Sequence, residues 1–210
     1  MIDMDTRLRV ARGIAPTATE AHREVCETLK QRGHPDAPPP TVSAGWGGVD
    51  EAMGPVYGPV PPYRGRGRPP TQQQPQAGWH SLQVVNQRDA PGRLLGLRLQ
   101  VQDGAPRAVL ARFGRSTASI ERTHLTMRHF NSRLTRKTLA CSKSLEMHRA
   151  AAAWDDLVYT WARPLKTLRR RVRRQPGRRW QARTPAMAAR LTDHIWTRRE
   201  LLTRVVLPNT

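Results

Sequence analysis

The side chains best suited to chemistry lie between positions 121 and 143, where one carboxylate is followed by a series of basic groups. Glu121 falls in the first turn of a helix that we predict from Ser119. There it is either a catalytic group or an ordinary residue favoured by the helix dipole. Arg128 follows seven residues later, two turns along the same helix face. The basic series consists of Arg122, Arg128, Arg133, Arg136, Lys137 and Lys143. Each of these side chains is better suited to a phosphate contact than to reading a base edge.

A second basic motif, Gly65-Arg66-Gly67-Arg68-Pro69-Pro70, lies in a stretch rich in Pro, Gly, Gln and Arg. Its Arg-Gly-Arg-Pro core resembles an AT-hook, in which arginine reaches down a narrow minor groove. The alternative is a basic linker that contacts phosphate, and the shortness of the motif favours that alternative. Either interpretation makes Arg66 and Arg68 candidate DNA-binding residues.

The positive charge of the chain is concentrated after residue 60. The formal net charge is +20, yet residues 1–60 contain six basic and eight acidic residues. Residues 61–210 therefore carry about +22, a surplus that favours DNA or RNA as the partner. A GC-rich genome would raise the arginine content everywhere, so it does not explain why the first part is so poor in basic residues.

Cysteine usage and hydropathy argue against several other classes of protein. Cys26 and Cys141 lie far apart without a CxxC or Cys/His spacing, which disfavours a zinc site and a disulfide-stapled secreted fold. No apolar run approaches about 18 residues, and no signal-peptide pattern is present. We therefore expect the protein in the cytoplasm, associated with the nucleoid.

The elements that would position these groups follow an α/β order in the first part of the chain. Residues 2–15 alternate polar and apolar over much of their length, which predicts one or two strands. Thr17 or Thr19 can cap a helix that runs to about Arg32. The other elements predicted here are a strand at 41–43, a loop at 54–78, a β-hairpin of 81–87 and 93–101, and a helix at 106–113.

From Ser119 the pattern becomes helical, with an apolar face that consists of Ile120, Met127, Phe130 and Leu134. A second helix, capped by Ser142, carries an apolar stripe of Met147, Ala151, Trp154, Val158 and Trp161. We expect this stripe to be core, in preference to a platform on which Trp154 or Trp161 stacks against bases.

The region after Pro164, which ends that helix, is strongly basic. Residues 163–183 contain ten Arg or Lys, and their repulsion predicts a solvated arm. Thr184 followed by Pro185 predicts a short helix, and Thr197 with Glu200 predicts a capping box for a last one.

Several long runs then suggest a family. They are Ile120–Arg128, Arg133–Leu139, Ser142–His148, Arg163–Leu168 and Arg183–Ala188. In this order they resemble the insertion-sequence-one type of bacterial DDE transposase, beginning with the helix that carries its catalytic glutamate. The resemblance covers most of the chain and is densest from Glu121 onward.

This resemblance implies a ribonuclease-H-like domain, in which two Asp and one Glu hold a pair of Mg²⁺ ions that promote DNA cleavage and strand transfer. Glu121 matches the family's Glu, so the resemblance implies that it is both catalytic and a metal ligand. Arg128 would contact the DNA backbone near the active site. The implied partner is the DNA of transposon ends, with a homo-oligomer or a hetero-oligomer with an intact transposase as further associations.

The chain also departs from the family's pattern. The family's second Asp ends a strand in a motif like Thr-Asp-Gly-Trp, whereas the matching residues are 43–46, with Ala44 at the ligand position. A methyl group cannot bind Mg²⁺. The first Asp is expected upstream of Ile2, so we expect a truncated copy that lacks the first strand and the amino-terminal DNA-recognition module. The acidic residues nearest to the missing ligands are Asp3, Asp5, Asp50 and Glu51, and we do not expect them to substitute.

The expected fold class is therefore α/β, a partial ribonuclease-H-like fold with an inserted β-hairpin, followed by helices and a basic carboxy-terminal arm. The expected segments are a truncated sheet and helix at 1–53, a loop at 54–78, the hairpin and short helix at 79–118, the glutamate helix and second helix at 119–168, a basic linker at 169–183 and short helices at 184–210.

Three functions remain open at this point. The chain is a catalytically impaired DDE transposase, a non-catalytic DNA-binding protein or inhibitor of an intact transposase, or a basic RNA- or ribosome-associated protein. Glu121 with Arg128 favours the transposase lineage over the third possibility. Ala44 favours the second as the present activity.

Overall fold

Helices and short strands succeed one another along the chain, which is mixed α/β as the sequence predicts. The computed structural model describes residues 1–44, 48–65, 67–71, 78–114, 117–135, 139–140, 142–172 and 179–204, apart from the side chains of 50, 103, 108, 112 and 113. Two units are distinguished by their internal contacts. The first is Val10–Glu121 with Met1, and the second is Arg122–Thr210 with Ile2–Arg9.

The sheet of the first unit has three strands, in the order β1 (Thr41–Ala44), β2 (Ser81–Arg88) and β3 (Leu94–Asp103). β1 runs parallel to β2, and β3 runs antiparallel to it. In the turn between β2 and β3 the Asp89 N–H donates to the Arg93 carbonyl at 3.0 Å. Gly92 adopts a φ of 88° there, which glycine does without steric cost. The predicted hairpin is therefore confirmed.

This hairpin is also part of the sheet. Its first strand pairs directly with β1, from Thr41 opposite Ser81 to Ala44 opposite Val84, so the hairpin supplies the central strand of the sheet. Leu82 and Val84 on that central strand are buried. β2 is stabilised by β1 on one side and β3 on the other, because its apolar side chains pack against those of the neighbouring strands.

Helix α1 (Ala18–Gln31) confirms the predicted first helix and decides which threonine caps it. The Thr17 hydroxyl accepts the Glu20 N–H at 3.2 Å, and the Glu20 carboxylate accepts the Thr17 N–H at 3.3 Å. These two hydrogen bonds form a capping box, so Thr17 is the cap. Cys26 and Leu29 are the buried residues of this helix.

Helix α2 (Val49–Tyr57) shows that the predicted loop at 54–78 is wrong for its first four residues, 54–57. The buried apolar residues of α2 are Val49, Ala52, Met53, Val56 and Tyr57. The Tyr57 hydroxyl donates to the Cys26 carbonyl at 3.3 Å, and its ring meets Trp79 edge-on at 6.2 Å between centroids. Each large apolar side chain that is fully buried contributes about 1.5–3 kcal/mol. Together they offset the cost of about 3 kcal/mol expected for Pro55 inside a helix.

The strands predicted at 2–15 are wrong. Residues 2–9 instead form a tight turn closed by a β-bridge between Ile2 and Arg9. The Asp3 carboxylate accepts hydrogen bonds from both the N–H and the hydroxyl of Thr6, and Arg7 has a φ of 61°. A side chain that bonds the backbone three residues later stabilises a turn in preference to an extended strand.

Three helices follow the sheet. α3 (Pro106–Phe113) lies where the sequence predicts it. α4 (Ala118–Phe130) stops before Leu134, because the Asn131 side chain caps a separate 3₁₀ turn, Ser132–Leu134. α5 (Leu145–Leu157) is capped by Ser144 in place of Ser142 and continues as one π-helical turn, Val158–Ala162.

The apolar stripe predicted for α5 is not the buried face. Met147 and Trp154 are exposed, whereas Ala152, Tyr159 and Thr160 are buried. The inward face follows the spacing of Ala152, Asp155, Asp156 and Tyr159, and the two carboxylates there bind Arg9. A long-range ion pair therefore sets the orientation of the helix.

Two short strands lie in the described parts of the basic segment 169–183, residues 169–172 and 179–183, where the sequence predicts a solvated linker. Strands β4 (Arg170–Arg171) and β5 (Trp180–Gln181) pair antiparallel, which places Arg170 opposite Gln181 and Arg171 opposite Trp180. Because arginines do not face one another in this ladder, repulsion across it is avoided. The predicted exposure is confirmed for both strands. Helices α6 (Pro185–Ala188) and α7 (Arg198–Thr203) have their predicted caps, Thr184 and Thr197.

Candidate nucleic-acid interface

Glu121 lies in the first turn of α4, as the sequence predicts, and its side chain is exposed. The Thr117 hydroxyl donates a hydrogen bond of 3.1 Å to its carboxylate. Thr117 is buried, and its carbonyl accepts the N–H groups of Ile120 and Glu121. These contacts fix the start of the helix, and the carboxylate takes part in them.

The positions expected for the other acidic ligands hold different residues or different contacts. Ala44 is the last residue of β1 and is exposed. Asp3 is engaged by Thr6, and Glu51 is exposed on α2. Within the ranges that the structure describes, no three His, Cys, Asp or Glu side chains form a possible metal site. These side chains do not fit a two-metal centre, and the expected Mg²⁺ stays a prediction of the family resemblance.

The basic residues singled out from the sequence fall into three groups. Arg122 and Arg128 are exposed on α4, and Lys143 and Arg68 are exposed in loops. Arg133 is half-buried and donates to the Ser142 hydroxyl at 3.1 Å, so part of its role is structural. Arg66, Arg136 and Lys137 lie outside the described residues.

A pattern that the sequence reasoning missed is the stacking of arginines on aromatic rings in the second unit. Besides the buried Arg9, three arginines in the described part of this unit have this geometry, with the guanidinium carbon 4.2–4.8 Å from the ring centroid. The pairs are Arg163 on Phe130, Arg169 on Trp180 and Arg204 on Trp196. Phe130 and Trp180 are themselves exposed. In the described part of the chain no carboxylate pairs with these arginines. We refer to them as the stacked arginines.

Stacking has a direct chemical consequence for arginine. The ring covers one face of the planar guanidinium, restricts its rotamers and leaves the N–H groups at its edge available. Those N–H groups match two oxygens of a phosphate in a bidentate arrangement. A guanidinium that is already oriented loses less conformational entropy when it binds. The stacked arginines therefore have the properties of phosphate-binding groups.

Arg9 is a contrasting arginine, because it is buried. Its Nη1 donates to Asp155 at 2.6 Å and to Asp156 at 2.9 Å, and its guanidinium carbon lies 3.9 Å from the Tyr159 ring centroid. Its side chain is only 6% exposed. Arg9 therefore ties the turn at 2–9 to α5 and does not face solvent.

The charge of the second unit matches this chemistry. Residues 122–210 contain 21 basic and five acidic residues. Two of those acids, Asp155 and Asp156, are paired with Arg9. The sequence signal for the stacked arginines is weak, since each ring and its arginine are distant in the chain.

None of the helices in the described ranges combines the length and the apolar character needed to span a bilayer. Comparison of the chain with family models, with curated proteins and with solved structures found no match. The family resemblance therefore depends on the sequence runs quoted above.

Proposed function

We propose that this chain is a DNA-binding protein of transposase descent, related to the insertion-sequence-one type, whose present activity is to occupy transposon ends. The ribonuclease-H-like fold of the family and a nucleoid location belong to this proposal. The observation that carries it is the set of stacked arginines on a strongly basic unit. Such a unit binds phosphate whatever the base sequence, because cation release from DNA drives the association.

Binding without cleavage follows from the acidic residues. DDE chemistry needs carboxylates that anchor two cations while open positions remain for phosphate and water. Ala44 occupies the position that matches the family's second Asp, and Glu121 is hydrogen-bonded to Thr117. We therefore propose that Glu121 had a catalytic role in the ancestor and that in this chain it stabilises the start of α4.

The stacked arginines provide the test of DNA binding. Replacing Arg163, Arg169 and Arg204 together by Lys preserves the charge but removes the flat bidentate edge. We expect this variant to bind a duplex of about 20 base pairs at least tenfold more weakly, measured by fluorescence anisotropy at about 0.1 M salt. Arg23→Lys is the matched control, because Arg23 pairs with Glu27 on the exposed face of α1. Equal affinity of the triple variant and the control would contradict the proposal, and tighter binding to single-stranded RNA than to duplex DNA would favour an RNA-associated function.

A second candidate function is inhibition of an intact transposase by association with it. The observation that favours it is the outer strand β3, which among the described residues has a neighbouring strand on one side only. Its exposed apolar residues are Leu94, Leu95, Leu97 and Val101. A bare edge of this kind can pair with another chain. Light scattering after size exclusion of this chain mixed with an intact transposase of the family tests it: a complex that Leu97→Lys abolishes supports the candidate, and separate elution of the two proteins at all concentrations contradicts it.

A further inference from the structure

The loop between α6 and α7, residues 189–197, is held in place from both ends. The Leu191 N–H donates to the Ala186 carbonyl at 2.9 Å, and the Trp196 N–H donates to the Trp161 carbonyl at 3.1 Å. The Trp196 indole N–H donates to the Thr192 hydroxyl at 2.9 Å. These bonds make the loop a built structure, so the shape of the surface beside it is preformed.

An open cavity of about 600 Å³ lies against this loop. Arg190 and Arg204 supply two guanidinium groups to its lining, and Met187, Leu191 and Trp196 supply apolar surface. A volume of this order is typical of pockets that bind a small organic molecule, which lie at about 300–1,000 Å³. The combination of two cations with apolar walls suits an anion that carries an organic group.

Arg190 and Arg204 are the cations that such an anion would meet, and the Asp193 carboxylate and the His194 ring also belong to the lining. In the described part of the chain no carboxylate pairs with Arg190 or Arg204, and Arg204 is oriented by Trp196 at 4.8 Å. The acids of the loop have another partner, His194, whose Nδ1 lies 2.7 Å from Asp193 and whose Nε2 lies 3.4 Å from Glu200. Because the His194 imidazole contacts both carboxylates, these carboxylates repel an anionic ligand in the cavity less strongly.

The walls of the cavity add a flat surface. The rings of His194 and Trp196 are parallel within 4°, with centroids 5.9 Å apart. The Trp196 ring already carries the Arg204 guanidinium at 4.8 Å and meets the Trp161 ring at 4.9 Å, so the ring left for a ligand to stack on, beside the two guanidinium groups, is the exposed His194 imidazole. A nucleobase has a π-face that can stack on such a ring, and the sugar and base of a nucleoside have the apolar area that Met187 and Leu191 can cover.

We propose that this cavity binds a nucleoside monophosphate, with the phosphate on Arg190 and Arg204 and the nucleoside against the apolar walls. Two sources have this chemistry, a free nucleotide and the 5′-phosphorylated end of a DNA strand. The second source rests on the proposed DNA-binding function, and the first does not. The cavity is distinct from a general phosphate contact because it requires the nucleoside as well as the charge.

The experiment is isothermal titration of the full chain with dAMP, with deoxyadenosine and with inorganic phosphate. Saturable binding of dAMP, at least about tenfold tighter than either part alone, is expected because the phosphate and the nucleoside contribute together. Arg190→Gln should weaken dAMP binding about tenfold. The control Arg198→Gln, which is exposed on α7, should leave it unchanged. Loss of dAMP binding in Arg190→Gln is interpreted only if the melting temperature of the variant is unchanged. A check that needs no variant is the displacement of dAMP from the unsubstituted chain by excess inorganic phosphate.

The two sources are separated by competition. A 5′-phosphorylated oligonucleotide that displaces dAMP, when its 5′-hydroxyl counterpart does not, identifies the DNA end; displacement by neither identifies the free nucleotide. A closed dumbbell duplex, which has no ends, measures general DNA binding separately. Dumbbell binding without dAMP binding would overturn the cavity proposal alone, and dAMP binding without dumbbell binding would overturn the proposed function alone. Inorganic phosphate bound as tightly as dAMP, or an Arg190→Gln affinity equal to that of the unsubstituted chain, would also overturn the cavity proposal.

Discussion

Replacing Arg9 by alanine tests whether a buried ion pair stabilises the second unit. The Arg9 side chain is 6% exposed, and its partners Asp155 and Asp156 are 13% and 22% exposed. Both carboxylates are largely shielded from water, and the substitution would remove the cation with which they pair. It would also remove the contact with the Tyr159 ring.

The expected magnitude follows from these contacts. Removing one partner of a buried ion pair costs about 3–5 kcal/mol, because the remaining charge is left uncompensated. The ring contact contributes roughly a further 0.5–2 kcal/mol. We therefore expect a loss of at least about 3 kcal/mol in the free energy of unfolding. This is a large fraction of the roughly 5–15 kcal/mol by which folded proteins are stable.

Urea unfolding followed by tryptophan fluorescence is the assay, since four of the six tryptophans lie in residues 122–210. Arg23→Ala is the control, because the side chains of Arg23 and Glu27 are 56% and 48% exposed, and such pairs contribute about 0.5 kcal/mol or less. The triple variant Arg9→Met, Asp155→Leu, Asp156→Leu should recover most of the loss, because it removes the buried charges together. An Arg9→Ala loss below about 1 kcal/mol would refute the reasoning.

Three further predictions follow from titration and packing. The hydrogen bond that the His194 imidazole donates to the Asp193 carboxylate, together with the nearby Glu200, raises the pKa of His194 above 6.5. The protonated imidazole therefore stabilises the fold fully below about pH 6.5, and this stabilisation is lost as the pH rises through the higher pKa of the folded state. An NMR titration that gives His194 a pKa below 6.5 would contradict this prediction. Burial raises the pKa of Cys26 to about 11. In a Cys141→Ser background Cys26 should react with iodoacetamide at about pH 8 only on unfolding, and rapid reaction of the folded protein would contradict its burial. Leu82→Ala should cost about 2–5 kcal/mol in urea unfolding, because Leu82 is 1% exposed, and a loss within the error of the measurement would contradict its place in the core.

Elements whose signals lie within a few residues are the ones that the sequence predicts well. The capping box of Thr17 and Glu20 starts α1, and Thr197 with Glu200 starts α7 in the same way. The turn at Gly92 allows the β-hairpin. In each case the residues that decide the structure are close neighbours in the chain, so the pattern contains the whole cause.

Elements that depend on distant partners are the ones that sequence reasoning placed wrongly. The buried face of α5 is decided by Arg9, which lies 146 residues before Asp155. Helix α2 forms across Pro55 because its apolar face packs near Cys26 and Trp79. Neither contact leaves a local pattern. Hydrophobic spacing predicted a different face of α5, and the composition rich in Pro and Gly predicted a loop in place of the end of α2.

The candidate site divides in the same way. The place of Glu121 in the first turn of α4 could be predicted, because a helix start is a local feature. The stacked arginines could not be predicted, since Arg163 and Phe130 are brought together only by folding. Charge composition predicts that DNA binds, but the choice of arginines depends on which rings are exposed beside them.

The salt dependence of DNA binding tests the central claim most directly. Each phosphate contact contributes about 0.9 to the slope of log affinity against log salt concentration. If the stacked arginines each contact one phosphate, replacing Arg163, Arg169 and Arg204 by Ala should reduce the magnitude of that slope by roughly 2.7. An unchanged slope in this variant, with the fold intact by circular dichroism, would contradict the claim that these arginines bind the DNA backbone.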